Sequence, residues 1–228
     1  MAACANISTQ ITSFPDGLAN LATSGRLACR YEKQIGDSNN TQIKNWYFWR
    51  EAQRTETRDE FSNQGEIWES NDAGKFFYTR LFYNEHAAVE FVQGDLAATG
   101  ATAPSTQQLF SLIDPKTLGK ELTLLDKGDM KGMAVEYYSG TVKNIPTEVA
   151  WLPSLQLPAR INKKLVTGNI TLTLADCGNE SKFSVNPITK KEFDNFRRFD
   201  YTDLGDMEDD PMVQRIEQLI GDHHAQKP

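Results

Sequence analysis

The chain has 228 residues, of which 39% are hydrophobic, 24% charged and 10% aromatic. Those proportions exclude a collagen-like, low-complexity or wholly disordered protein and leave room for a sizeable core. The net charge of −7 argues against a binder of phosphate backbones, which carries a basic face, and no stretch approaches the roughly 18 consecutive apolar residues of a membrane-spanning helix.

Residues 1–15 are polar and read as a loose N-terminal segment. Pro15-Asp16 opens a short helix through Leu18 and Leu21 that Gly25 ends. The pattern then changes to period two: Leu27, Cys29, Tyr31, Lys33 and Ile35 alternate with Ala28, Arg30, Glu32 and Gln34. Strands follow at 44–50, 53–58, 65–69, 75–83 and 87–92. They are separated by the hairpin-turn sequences Asn63-Gln64-Gly65, Asn71-Asp72-Ala73-Gly74 and Asn84-Glu85-His86.

The stretch 94–104 breaks this meander with Gly, Ala, Thr and Pro. Ser105 caps a helix with Leu109, Phe110, Leu112 and Ile113 on one side, before Asp114-Pro115. Strands resume at 121–126, 132–138, 146–151, 157–163 and 169–175, and a final helix follows Asp210-Pro211 with Met212, Ile216, Leu219 and Ile220 as its apolar positions. About eleven strands with a few helices predict a mainly β protein. Its expected form is a curled antiparallel sheet, an unclosed barrel covered on its concave side by helices, because so long a flat sheet is rare. The expected organisation is the loose segment 1–15, a half-barrel over 16–180 with a helical insertion near 105–120, and an acidic C-terminal extension over 181–228 ending in the helix.

Catalytic chemistry finds little support. The patterns G-x-S-x-G, G-x-x-x-x-G-K-[ST] and G-x-G-x-x-G are missing, and His86 is the only histidine outside the tail. Cys4, Cys29 and Cys177 are too far apart for a zinc site. No catalytic residue, metal or cofactor is expected. The acidic run of Asp200, Asp203, Asp206, Glu208, Asp209 and Asp210 has three readings: capping and solvation of the final helix, partner docking, or a metal. Its order does not fit an EF-hand loop, and Asp210 before Pro211 favours capping. Met1-Ala2-Ala3-Cys4 resembles the end of a bacterial lipoprotein signal, which makes Cys4 a candidate for lipidation; the alternative is an initiator Met on an ordinary N-terminus.

The aromatic residues lead further. Trp46, Tyr47, Phe48 and Trp49 lie on one strand, and Phe76, Phe77, Tyr78, Phe82 and Tyr83 on another. Strand side chains alternate, so both strands present rings on both faces. One face is ordinary core; the other meets covering helices or an apolar ligand.

Tyr138-Ser139-Gly140, Ile145-Pro146-Thr147-Glu148-Val149-Ala150-Trp151, Leu157-Pro158-Ala159-Arg160-Ile161 and the alternating Ile170-Thr171-Leu172-Thr173-Leu174 resemble the late strands of the periplasmic lipoprotein-localisation (Lol) carriers. Trp49-Arg50 resembles the point where those carriers run an aromatic strand into an arginine. The resemblance is topological over roughly 17–177. It implies a helix-lidded half-barrel with an apolar cavity for acyl chains and no enzymatic activity. Arg50 would then match the family arginine that hydrogen-bonds the lid, although Glu51 stands where the carriers have proline, so an acid is an alternative partner for Arg50.

On this resemblance the expected function is a non-enzymatic, periplasmic protein that binds a lipid, acyl chain or acylated protein. The candidate ligand-binding residues are Trp46, Phe48, Arg50, Phe77, Leu81, Val149 and Trp151. Cys29 and Cys177, two strand-associated cysteines in a fold resembling periplasmic proteins, are expected to form a disulfide. The alternative is a structural or assembly protein whose acidic C-terminal segment docks a protein partner. No nucleic-acid partner is expected, and membrane contact is at most peripheral or lipid-anchored.

Overall fold

The alternating segments form strands β1 (Leu27–Gly36), β2 (Thr41–Arg50), β3 (Arg54–Asp59), β4 (Gln64–Ser70), β5 (Phe76–Phe82), β6 (Ala87–Phe91), β7 (Leu122–Met130), β8 (Met133–Val142), β9 (Ile145–Leu152), β10 (Leu157–Leu165), β11 (Gly168–Gly178) and β12 (Arg197–Asp200). The helices are α1 (Gln93–Ala98), α2 (Thr106–Ser111), α3 (Pro115–Lys120), α4 (Lys190–Phe193) and α5 (Pro211–Gln226), with 3-10 turns at Leu18–Leu21 and Tyr201–Met207. This computed structural model describes residues 14–21, 25–36, 40–73, 75–98, 104–179 and 183–226. Cys4, and with it the lipidation expectation, lies outside them.

The protein is mainly β, with one open sheet in the order β12-β6-β5-β4-β3-β2-β1-β11-β10-β9-β8-β7. The sheet is antiparallel-dominated, with β12 parallel to β6. The eleven expected strands are present. The twelfth is β12, four residues inside a stretch the sequence reads as polar extension.

The chain forms two compact units, one from described residues within 1–52 and 104–186, the other from those within 53–103 and 187–228. In the first unit β1 pairs β2 without a register break, and pairs β11 with one shift between Arg30 and Tyr31. Its principal core joins Leu27, Cys29 and Tyr31 of β1, Phe48 of β2, Val135 and Tyr137 of β8, Leu152 of β9, Leu157 of β10 and Leu174 of β11. Phe14, at the end of the segment expected to be loose, and Leu18 are buried in the same core. Two short helices replace the single helix expected after Ser105. Ser105 caps α2 by accepting from the Gln108 N–H, and Leu112 stops that helix in the left-handed conformation; Asp114 then caps α3 through the Lys116 N–H, with Pro115 in its first turn. Gly140 permits a close crossing: a Cβ there would collide with the backbone carbonyl of Glu121.

In the second unit the amphipathic helix α5 lays Val213, Ile216 and Ile220 on Tyr78 and Phe82 of β5 and Val89 and Phe91 of β6. A separate cluster of Ile67, Leu81 and Ala88 is covered by Ile188, Phe193 and Phe196. The expected division at 180/181 therefore differs from the observed one. Strands β3–β6 keep company with the C-terminal segment because that segment carries the apolar side chains that bury them.

Asp210 caps α5, accepting from the Met212 N–H at 2.8 Å and pairing with Arg197 at 2.6 Å. These two contacts hold its carboxyl below the ordinary value of 3.8. A carboxyl depressed in the fold stabilises it above the unfolded pKa and loses that contribution as pH falls through the folded pKa. Asp210→Ala should therefore speed amide exchange in the first turn of α5 at neutral pH and change it little well below pH 3.8. Equal exchange in wild type and variant at neutral pH would contradict the cap.

Candidate functional site

Strand β2 carries Trp46, Phe48 and Arg50 on one face and Tyr47 and Trp49 on the other, as strand alternation requires. Tyr47 and Trp49 stack at 5.7 Å and are covered, with Ala28, by Phe183 and Val185. The indole Nε1 of Trp49 is buried without a hydrogen-bond partner among the described residues. On the opposite face Phe48 is fully buried, whereas Trp46 is half-buried, stacked on Phe48 at 6.3 Å and edge-on to Tyr31 at 5.7 Å. The aromatic strand is thus enclosed on both sides near Arg50 and opens at Trp46.

Arg50 is only 8% exposed. Its Nη1 donates to the Phe110 carbonyl of α2 at 2.7 Å, and its Nη2 donates to the Leu155 carbonyl in the β9–β10 turn at 3.1 Å. A guanidinium presents its donors in a fixed planar fork, which suits two carbonyls held apart by different elements. Burial lowers the Arg50 pKa and raises that of neighbouring Tyr31, while the proximity of the two groups acts in the opposite sense on each. The Tyr31 hydroxyl donates to the Pro158 carbonyl at 3.0 Å. Among the described residues no acid pairs with Arg50. Glu51, the alternative partner, bonds Arg26 at 2.6 Å instead.

The remaining candidates disperse. Val149 and Trp151 of β9 are buried with Leu118 of α3, Leu122 and Ile161, a cluster distinct from that of Phe48. Leu81 belongs to the second unit, buried against Ile67 and Ala88. Phe77 is 39% exposed beneath the Lys75 ammonium. The structure brings together Trp46, Phe48 and Arg50, sets Val149 and Trp151 in a second patch of the same unit, and assigns Phe77 and Leu81 to the second unit.

Cys29 and Cys177 lie directly opposite each other on β1 and β11 and are disulfide-bonded. In the acidic run, Asp203 and Asp206 sit exposed on the Tyr201–Met207 turn, with Leu204 buried between them. Among the described residues no three His, Cys, Asp or Glu side chains are grouped as a metal site requires.

Sequence reasoning passed over one set of residues. Between β10 and β2 three rows run across four strands: Lys163, Ile170, Ile35 and Gln42; Ile161, Leu172, Lys33 and Lys44; and, shorter, Leu174, Tyr31 and Trp46. Directly opposed residues share a face, so Lys33, Lys44 and Lys163 stand on the face of Trp46. Lys33 was visible in the sequence as the charged member of an otherwise apolar alternation. Its companions needed the register.

No protein-family model matches this sequence, and neither does any curated protein sequence. Among solved structures, PNGF-II aligns with a TM-score of 0.44 and 12% identity over 80% of this chain and 33% of its own, so this chain spans about a third of that protein. The Pseudomonas aeruginosa MucA/MucB complex contains a chain aligned at 0.35 and 12% identity over 77% of this chain and 57% of that one. A Vibrio parahaemolyticus domain named for outer membrane lipoprotein sorting aligns at 0.32 and 10% identity over 74% and 89%. Scores and identities this low assign neither ligand nor partner to this chain.

Proposed function

We propose that this is a non-enzymatic, extracytoplasmic protein that holds an apolar chain, a lipid acyl group or the acyl group of a modified protein, against the Trp46 face of the first unit. The single observation carrying this reading is the pairing of a buried cation with neutral carbonyls. Arg50 ties α2 and the β9–β10 turn to the end of β2, and on the same face the apolar surface passes without interruption from buried Phe48 to half-buried Trp46 and Leu172. A short helix cannot be stable alone. A cover whose six-residue helix α2 is tied down by one guanidinium is therefore suited to opening. Each CH₂ of a chain brought under it would contribute about 0.8 kcal/mol. The Cys29–Cys177 disulfide supports an oxidising compartment, where such bonds persist.

The test is uptake of a fluorescent fatty-acyl probe by the full chain. Phe48 has no exposed surface, so its removal would report stability rather than binding; Trp46→Ala is the informative change. It should weaken probe binding about tenfold, equivalent to about 1.4 kcal/mol, and leave the melting temperature within a few degrees of wild type. A wild-type chain that takes up no probe, or a Trp46→Ala variant with undiminished affinity, would sink the reading.

A further inference from the structure

The three rows described above place cations on the same face as the apolar surface. Lys44 is exposed and Lys163 half-buried, while Ile35, Ile170, Leu172 and Trp46 between and beside them are half-buried. Lys33 stands directly opposite Lys44. Lys143, in the β8–β9 turn with a left-handed φ of 49°, is close enough to Lys163 to oppose its charge, and burial of Lys163 acts in the same direction. Gly168 keeps the adjoining β10–β11 turn against β1, since a Cβ there would meet the Gly36 carbonyl at 2.9 Å.

Three other lysines on the strands and turns of the first unit have acids: Lys127 pairs with Glu136, Lys131, in the turn after β7, with Asp16, and Lys164 with Glu148. Lys44, Lys143 and Lys163 have no such partner among the described residues, in a chain that is acidic overall with a net charge of −7. Two like charges held near each other, one of them partly desolvated, raise the energy of the fold unless an anion joins them. The span from β2 to β10 is three strand spacings, about 14 Å, and flexible lysine stems carry their ammonium groups beyond their own strands.

We propose that Lys44, Lys143 and Lys163, together with Lys33, bind the anionic head of an amphiphile, a carboxylate or a phosphate, whose chain lies along Trp46, Leu172, Ile170 and Ile35. This rests on the apolar-chain reading above and adds the charge of the ligand to it. The apolar row gives affinity and the lysines give orientation, so a neutral amphiphile of the same chain length binds the same surface more weakly.

Affinities of the full chain for oleate, oleoyl lysophosphatidate and monoolein, each below its aggregation concentration and followed by tryptophan fluorescence, test it. The anions should bind at least about tenfold tighter than monoolein, with a gap that narrows as salt is added. The tighter of the two anions identifies the head group. Lys44→Gln/Lys163→Gln should close the gap and leave monoolein affinity unchanged; Lys44→Gln alone, at an exposed position, should narrow it with the melting temperature unaltered. Equal affinity for all three ligands in the native chain overturns the lysine site while the apolar site stands. A gap that survives both variants overturns the assignment to these lysines. Failure of every amphiphile to bind overturns both readings together.

Discussion

Replacing Cys29 and Cys177 by alanine should destabilise the first unit by about 2–5 kcal/mol. The two cysteines are 148 residues apart in sequence and bonded across β1 and β11, so the bond removes conformational freedom from a long loop in the unfolded chain. Both side chains are buried in the principal core, and the loss of sulfur packing adds to the loss of the constraint. For a chain of this length each kcal/mol corresponds to about 2–4 °C, and a fall in melting temperature of about 10 °C is expected. Thiol counting on denatured, unreduced protein gives the direct check. Of the chain's three cysteines, Cys4 alone should react, or none if an acyl group blocks it. Three reactive thiols, or a variant as stable as wild type, would contradict the bond's structural role.

The strands of the meander were legible because their signal is local. Alternation in β1 and in Ile170-Thr171-Leu172-Thr173-Leu174 of β11 needs only a buried face to be read. β12 was not, because Arg197, Arg198 and Asp200 surround its single buried residue, Phe199, and its partner β6 lies more than a hundred residues earlier. The division into units was also hidden. Only Glu51 and Ala52 separate the strands read at 44–50 and 53–58, which marks no division, whereas the decisive fact is that Val213, Ile216 and Ile220 find their partners on β5 and β6.

At the candidate site, Trp46, Phe48 and Arg50 were legible as one face of one strand. Alternation cannot tell which compact unit a distant strand joins, so Phe77 and Leu81, taken with them as ligand-binding candidates, fall in the other unit. The partner of Arg50 was not decided by sequence because a neighbouring acid and two distant carbonyls were equally open to it. In the fold Arg26 engages Glu51, and the guanidinium turns to the carbonyls.

That arrangement carries the second large effect. Arg50→Met keeps much of the apolar stem but removes both donors from the Phe110 and Leu155 carbonyls. Hydrogen bonds from a charged donor contribute about 1.5–3 kcal/mol each, but the abandoned carbonyls can recover part of that by meeting water. The helix that can move to do so is α2, held otherwise by its Ser105 cap and the adjoining α3. The variant should therefore lose about 2–4 kcal/mol in local rather than global stability. Amide exchange at Leu109, which bonds the Ser105 carbonyl at 3.0 Å, should accelerate about a hundredfold, while amides of Cys29 and Phe48 in the β1–β2 pairing keep their protection. Arg50→Lys, a single compact cation without the fork, should fall between the two. If α2 covers the ligand, Arg50→Met should also load an acyl probe faster than wild type, because opening no longer breaks those bonds. Unchanged exchange at Leu109 would mean that α2 is held by its apolar contacts alone. Acceleration spread equally over β1 and β2 would mean that Arg50 supports the core of the unit and does not latch its cover.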